Sequence, residues 1–137
     1  MKRSYSVIDM QKVKTMYPEG FPNWVDLEEW LAHGQNIMYI ENESVGLLSW
    51  DYDGVYTGHW FFSVRGKEAL NLAKRMLSRL FDTTNARVVR GITPVELKGA
   101  RYLAKKLGFI SLGIEEWDGP HEIMCLTKQA FKEANVG

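Results

Sequence analysis

Ala100-Arg101-Tyr102-Leu103-Ala104-Lys105-Lys106-Leu107-Gly108-Phe109 decides the reading of this chain. Together with Leu97, its Ala100, Leu103, Ala104 and Leu107 recur at helical spacing and make one apolar stripe. Gly108 follows the last stripe residue and can enter the left-handed conformation that such a helix end requires. Two β-prone runs come next, Phe109 to Trp117 and Glu122 to Thr127, around Asp118-Gly119-Pro120-His121. Turn residues at that centre predict a hairpin.

Working back from the stretch, Arg87 to Ile92 is expected as a strand. Before it, Ala69, Leu72, Ala73, Met76, Leu77, Leu80 and Phe81 repeat at three and four, which predicts a helix from about Lys67 to Phe81. Three short β-prone runs precede that helix: Ile37 to Ile40, Val45 to Trp50 and Val55 to Val64. Asn42-Glu43-Ser44 and Asp51-Tyr52-Asp53-Gly54 separate them, so three antiparallel strands are expected, with Asp51 and Asp53 as turn residues. Near the start, a short strand at Tyr5 to Ile8 is expected. A helix capped by Asp9 carries Met10, Val13, Met16 and Tyr17 and stops at Pro18. Asn23 with Asp26 resembles a capping arrangement for a second helix bearing Leu27, Trp30 and Leu31, with Gly34 at its end. The fold class is therefore α/β of the α+β type. Its sheet is mixed, mostly antiparallel and twisted, flanked by helices in the order β-α-α-β-β-β-α-β-α-β-β.

The 137 residues suit one domain, 1–137, and 45% hydrophobic content supplies a core for it. Seventeen Lys and Arg balance seventeen Asp and Glu, so no long-range field recommends nucleic acid or an anionic membrane as partner. Cys125 is the only cysteine, which excludes an internal disulfide and a cysteine-based metal site. A reducing, cytoplasmic setting is expected. The basic start Met1-Lys2-Arg3 lacks the apolar run of a signal peptide, and no stretch reaches membrane-spanning length.

This element order, with Val45-Gly46 opening the second central strand, Arg65-Gly66-Lys67 before the long helix and Leu107-Gly108-Phe109 leading to the hairpin, resembles the GNAT superfamily of acyl-CoA N-acyltransferases. The resemblance implies an acetyl-CoA-dependent N-acetyltransferase, with a CoA thioester and an amine acceptor as its partners. Arg65-Gly66-Lys67, the Leu80-Phe81 helix end and Gly91-Ile92-Thr93-Pro94 are further similar to GNAT-like proteins of bacteriophages. Some of those are head-assembly or virion proteins. That similarity implies a non-catalytic alternative with a phage structural partner, in the host cytoplasm or the virion.

By the resemblance, the CoA pyrophosphate sits at the start of the long helix, where free N–H groups and the helix dipole favour anions. The superfamily pattern there is Arg or Gln, two residues, Gly, one residue, then Gly or Ala. Here the run is Arg65-Gly66-Lys67-Glu68-Ala69-Leu70, so Glu68 and Leu70 fall on the two small-residue positions. Phe62, Ser63, Val64, Arg65, Gly66 and Lys67 are the expected cofactor-binding residues. The first three contribute backbone to the pantetheine arm and the last three face the phosphates.

Relatives often carry a tyrosine acid four residues before the glycine of Gly-Phe, and here that position is Ala104. Tyr102 points roughly 200° around the helix from it and is a poor substitute. Their asparagine at the start of the same helix is replaced by Leu97. His59, in the third central strand, is the expected catalytic base, and Glu96 before the last helix is the second candidate. No metal site is expected, since His33 and His121 show no ligand spacing, and Cys125 is expected in the core. Lys98, Arg101, Lys105 and Lys106 are the solvated face opposite the apolar stripe, so nucleic acid is disfavoured. Trp24, Trp30 and Trp117 lie outside the central strands and are candidate anchors for an interaction surface, a homodimer included.

Overall fold

Ser6, and not Asp9, starts the first helix. The computed structural model describes residues 1–19, 21–24 and 26–135. Helix α1 spans Val7–Met16, and the side chain of Ser6, in extended conformation, accepts the Asp9 N–H at 3.3 Å. A short polar side chain one turn before the free N–H groups competes for them directly, and Ser6 is better placed than Asp9. Asp9 sits in the first turn, where its carboxylate accepts Ser4 Oγ at 2.6 Å and pairs with Lys2 at 3.4 Å. The strand expected at Tyr5 to Ile8 is thus replaced. Strand β1 is Lys2–Arg3, two residues paired with the next strand.

Phe21–Trp24 forms a short 3-10 turn, and α2 spans Leu27–Ala32. Asp26 stands at its N-cap with φ 52° and makes no side-chain cap bond. The cap expected from Asn23 rests on a side chain outside the described residues. His33, not Gly34, ends the helix.

The central strands are β2 (Ile37–Glu41), β3 (Ser44–Tyr52) and β4 (Val55–Phe61). They are followed by α3 (Gly66–Thr83), β5 (Val88–Pro94), α4 (Lys98–Leu107), and the hairpin β6 (Ile110–Glu116) and β7 (Pro120–Thr127). A last helix, α5 (Lys128–Ala134), was not expected from the sequence. Thr127 caps it by accepting the Ala130 N–H at 3.0 Å, and Phe131 is its one buried apolar anchor. One anchor in seven residues gives no periodicity to read.

The strands form one sheet in the order β1-β2-β3-β4-β5-β7-β6. Only β4 and β5 run parallel. One face is covered by α3, whose Leu72, Met76, Leu77, Leu80 and Phe81 are at most 3% exposed. They pack with Ile37, Leu48, Tyr56, Val89, Met124, Leu126 and Phe131, so α3 ties the middle of the sheet to its far side. The other face carries α1 and α2, where Met10, Val13, Trp24 and Leu27 pack on Met38, Val45 and Leu47. Gly108 closes α4 at φ 108° with its N–H on the last carbonyls, as the sequence predicts. A Cβ there would also lie 3.1 Å from the Ala130 carbonyl oxygen. Among the described residues no helix is long and apolar enough to cross a membrane.

Candidate active site

Strands β4 and β5 pair over three rungs, Val55 with Val88, Tyr56 with Val89 and Thr57 with Arg90, and then part. Beyond the last rung, Gly58 to Phe61 pair only with β3, and Gly91 to Pro94 pair only with β7. Each strand therefore has one edge free of a ladder partner along the gap. Backbone N–H and C=O groups on such an edge are obligatory hydrogen-bonding groups, and they can take an extended ligand between them.

Two aromatic rings line this gap on the α3 and α4 side. The Trp60 indole folds over Gly58, where a Cβ would collide with it, and over Gly46, where a Cβ would lie 3.2 Å from its Nε1 and 2.9 Å from Met76 Sδ. Phe109, which sits near Gly91, meets Trp60 edge to face with centroids 6.4 Å apart. The Gly-Phe step legible in the sequence thus places a ring of the helix end against the parting strands.

His59 lies on the opposite face, two residues beyond the last rung and across from Leu47 of β3. Its ring stands perpendicular to Phe21 with centroids 4.9 Å apart. Burial lowers its pKa to about 4, against a smaller opposing pull from Asp51. The imidazole is therefore neutral throughout the neutral pH range. Next to it on the same strand face, Thr57 Oγ donates to Asp51 Oδ2 at 2.6 Å, and Arg90 pairs with the same oxygen at 3.5 Å. This network ties β3, β4 and β5 together at the point where the strands separate. Asp51 is thus a strand residue with a specific partner on β5, not a turn residue, because β3 runs on to Tyr52. Ser49, opposite Thr57, accepts the Trp30 indole N–H at 3.0 Å and links the site to α2.

The strand expected to reach Val64 stops at Phe61, and the loop 62–65 leads into α3. Ser63 is held by Ser44, whose Oγ accepts its N–H at 2.8 Å and lies 2.9 Å from its Oγ. Phe62 and Val64 pack against the main core. Arg65, Gly66 and Lys67 are exposed. Arg65 is the N-cap of α3 and makes no side-chain cap bond, which leaves the first-turn N–H groups unclaimed by a cap. Gly66 has φ 61° and open space where a Cβ would stand. Glu68 adds a carboxylate to that turn.

Glu96 is exposed in the turn after β5, and among the described residues its carboxylate has no partner. Leu97 and not Glu96 is the N-cap of α4, and no side chain caps that helix. No contact brings Glu96 to His59. His33 stacks on Trp50 at 5.5 Å, and His121 Nδ1 lies 2.9 Å from the Gly119 carbonyl. No group of potential metal ligands occurs among the described residues. Concavities of about 610 and 540 Å³ lie between α1 and α2 and between α1 and the β2–β3 hairpin, away from the gap.

Sequence reasoning missed Thr57, Asp51 and Arg90 as a unit. Thr57 shares the strand alternation of His59, which is a usable signal. Arg90 gives none, because its place beside Thr57 follows from a parallel register between strands separated by α3.

No protein-family model matches the sequence, and no curated protein matches it. Solved structures do match in fold. A spermidine N-acetyltransferase chimera from Vibrio cholerae and hSSAT superposes with a TM-score of 0.71 at 15% identity, over 96% of this chain and 99% of that one. An aminoglycoside acetyltransferase in complex with coenzyme A and kanamycin gives 0.64 at 18% identity, over 92% and 91%. The ribosomal-protein-S5-alanine acetyltransferase of Vibrio fischeri gives 0.62 at 13% identity, over 79% and 70%. The seven-stranded sheet with one parallel pair that parts beside His59 has the fold of the GNAT N-acetyltransferases.

Proposed function

We propose that this protein is an N-acyltransferase that moves an acyl group, acetyl in the first instance, from a CoA thioester to an amine. The observation that carries this reading is the parting of β4 and β5 after Thr57 and Arg90. It leaves two free strand edges to accept the pantetheine amides, a mode of binding that needs no particular side chain. The matching folds support the substrate class, since one was solved with coenzyme A and an aminoglycoside and another acts on spermidine.

The residues fit such a ligand in most respects. Phe62, Ser63 and Val64 fix the end of β4, and the exposed Arg65 and Lys67 flank a helix start whose dipole favours phosphate. Gly66 lets the backbone approach closely. Glu68 opposes the phosphate charge and weakens the site. The CoA thioester supplies an activated acyl carbon. The amine nitrogen bonds to that carbon, the C–S bond breaks, nitrogen loses a proton and the thiolate gains one. A thiolate with a pKa of about 8.5 leaves near neutrality with water as its acid, which bypasses the tyrosine replaced by Ala104.

His59 is the proposed proton acceptor, because it follows the last β4–β5 rung on the face opposite Trp60. A pKa of about 4 makes it a weak base, so its role begins once the attacking nitrogen has become acidic. Glu96 is the second candidate, reached only by an acceptor that spans the loop after β5. Binding is tested by thermal melting with millimolar acetyl-CoA or CoA. A rise in melting temperature is expected, since a ligand of the folded state stabilises it, and no shift with either overturns the enzyme reading.

A second reading is favoured by the side chains at superfamily positions. By the resemblance, Glu68, Leu70, Leu97 and Ala104 stand where the superfamily carries binding or catalytic groups, and Leu97, at the N-cap of α4, is half exposed and caps nothing with its side chain. On that reading the chain keeps the fold as a non-catalytic interaction protein, for instance in phage head assembly or the virion. Absence of a CoA shift together with a stable complex with a phage structural protein would establish it.

A further inference from the structure

The face of the sheet that carries His59 is sparsely charged beside the gap. It presents His59 and Phe61 from β4, Arg90 and Ile92 from β5, and Ile123 and Cys125 from β7, which pairs with β5 at those positions. Arg90 is the one side chain of these six with a permanent charge. It stands on the last rung, paired with Thr57, where the two strands part.

Arginines that serve the fold are engaged more closely than this one. Arg101 donates to Glu122 at 2.8 Å and to the Val95 carbonyl at 3.0 Å, and Arg75 holds both carboxylate oxygens of Glu41. Arg90 meets Asp51 Oδ2 only at 3.5 Å, and among the described residues its guanidinium makes no hydrogen bond. Its side chain is 41% exposed. A guanidinium with donors to spare is shaped for a carboxylate, which it can hold through two parallel bonds. A polycationic acceptor fits less well. Thr57 and Arg90 already share one oxygen of Asp51, and a second ammonium on the acceptor would approach Arg90.

His59 lies two residues along β4 from that rung, roughly 7 Å at strand spacing. The Arg90 side chain can cover most of that interval, so a carboxylate on it and an amine at His59 belong to one molecule only when few bonds separate them. The α-amine and carboxylate of an amino acid meet that condition. Ile92 and Cys125, each partly exposed, offer an apolar seat for its side chain.

We propose that the acceptor is a free amino acid with an apolar side chain, whose carboxylate is read by Arg90 while its α-amine faces His59. The proposal rests on the acyl-transfer reading. The amine nitrogen bonds to the acyl carbon and gives up a proton, the C–S bond breaks and the thiolate takes a proton. The products are an N-acyl amino acid and free CoA.

Acetyl-CoA binding is read first, by melting temperature. Transfer is then measured with leucine, methionine and phenylalanine, with their amides, and with spermidine. Transfer to at least one of the acids is expected, and Arg90→Gln should lower the acid-to-amide ratio of kcat/KM roughly ten- to a hundredfold, chiefly through KM for the acid. Loss of an arginine with only a structural role would slow acid and amide alike. Arg90→Lys keeps the charge without the planar fork and should retain part of the ratio. Asp51→Asn frees the guanidinium and should raise the ratio, which tests the contact even where Arg90→Gln fails to fold. Acetyl-CoA binding without transfer to any of the three acids overturns the proposal and leaves the acyltransferase reading standing. So does an acid-to-amide ratio that these substitutions leave unmoved. Absence of acetyl-CoA binding overturns both.

Discussion

Helices α3 and α4 carry apolar stripes of the same spacing and meet opposite fates. Seven stripe residues of α3, from Ala69 to Phe81, are buried, whereas α4 buries only Leu107. Leu97 is 50% exposed, and Leu103 and Ala104 only border the core. The neighbours explain the contrast. α3 crosses the middle of the sheet and meets side chains from β2, β3, β4, β5 and β7. α4 is held at its C-terminal end by Leu107, Gly108 and the following Phe109, and along its length by a polar tie. In that tie Arg101 Nε donates to the buried Glu122 at 2.8 Å, and Lys105 lies 3.8 Å from the same carboxylate. Periodicity thus measures what a helix can bury, and its surroundings decide what it does bury.

The contrast is easiest to break at the core. Leu77→Ala should cost about 2–5 kcal/mol in denaturant unfolding, since the side chain is fully buried. Leu103→Ala in the α4 stripe should cost about 1 kcal/mol, because part of its surface is already wet. Equal losses would refute the contrast.

Next in size is an acid effect from the site itself. Unfolded His59 takes its proton near pH 6.5, and the folded chain holds it neutral down to about 4. The stabilisation is complete above pH 6.5 and is lost as the pH falls from there to 4, by on the order of 3 kcal/mol. His59→Leu should remove that part of the stability–pH curve, and an unchanged curve would show the imidazole to be solvated.

Gly108→Ala should cost about 1–2 kcal/mol, because alanine is strained at positive φ and its Cβ would press on the Ala130 carbonyl. The damage should appear at the α4 end and α5 rather than in α3. A smaller acid effect should then separate the helices. Hydrogen bonding from Arg101 holds the Glu122 pKa below its ordinary value, so that tie persists above the ordinary carboxylate range and is lost as pH falls through the lowered pKa. Amide exchange in α4 should rise there before exchange in α3 does. Smallest of all, Leu97→Ala should change stability by less than about 0.5 kcal/mol. A larger loss would mean that the N-terminal half of α4 is covered in solution.

How far the sequence reached depends on the range of each signal. The α3 stripe, Gly108 and the hairpin around Asp118 and Gly119 were legible because each is local. Ser6 was misread in favour of Asp9 because two capping residues compete within one turn. The helix α5 was missed because Phe131 alone carries its packing. His59 was legible as a strand residue on one face of the sheet. Its burial against Phe21, and the Thr57–Asp51–Arg90 tie beside it, come from chain segments far apart in sequence.

By itself the sequence determined the order of elements from β2 to β7, a helix from about Lys67 to Phe81, and the glycine that ends α4. Those are properties of residues and of spacings within one turn or one strand. Tertiary structure alone decided that β4 and β5 part after Thr57, that α3 is buried while α4 is half wet, and that β6 forms an open edge. Register, burial and edge position depend on which distant segments become neighbours, and no local spacing encodes that choice.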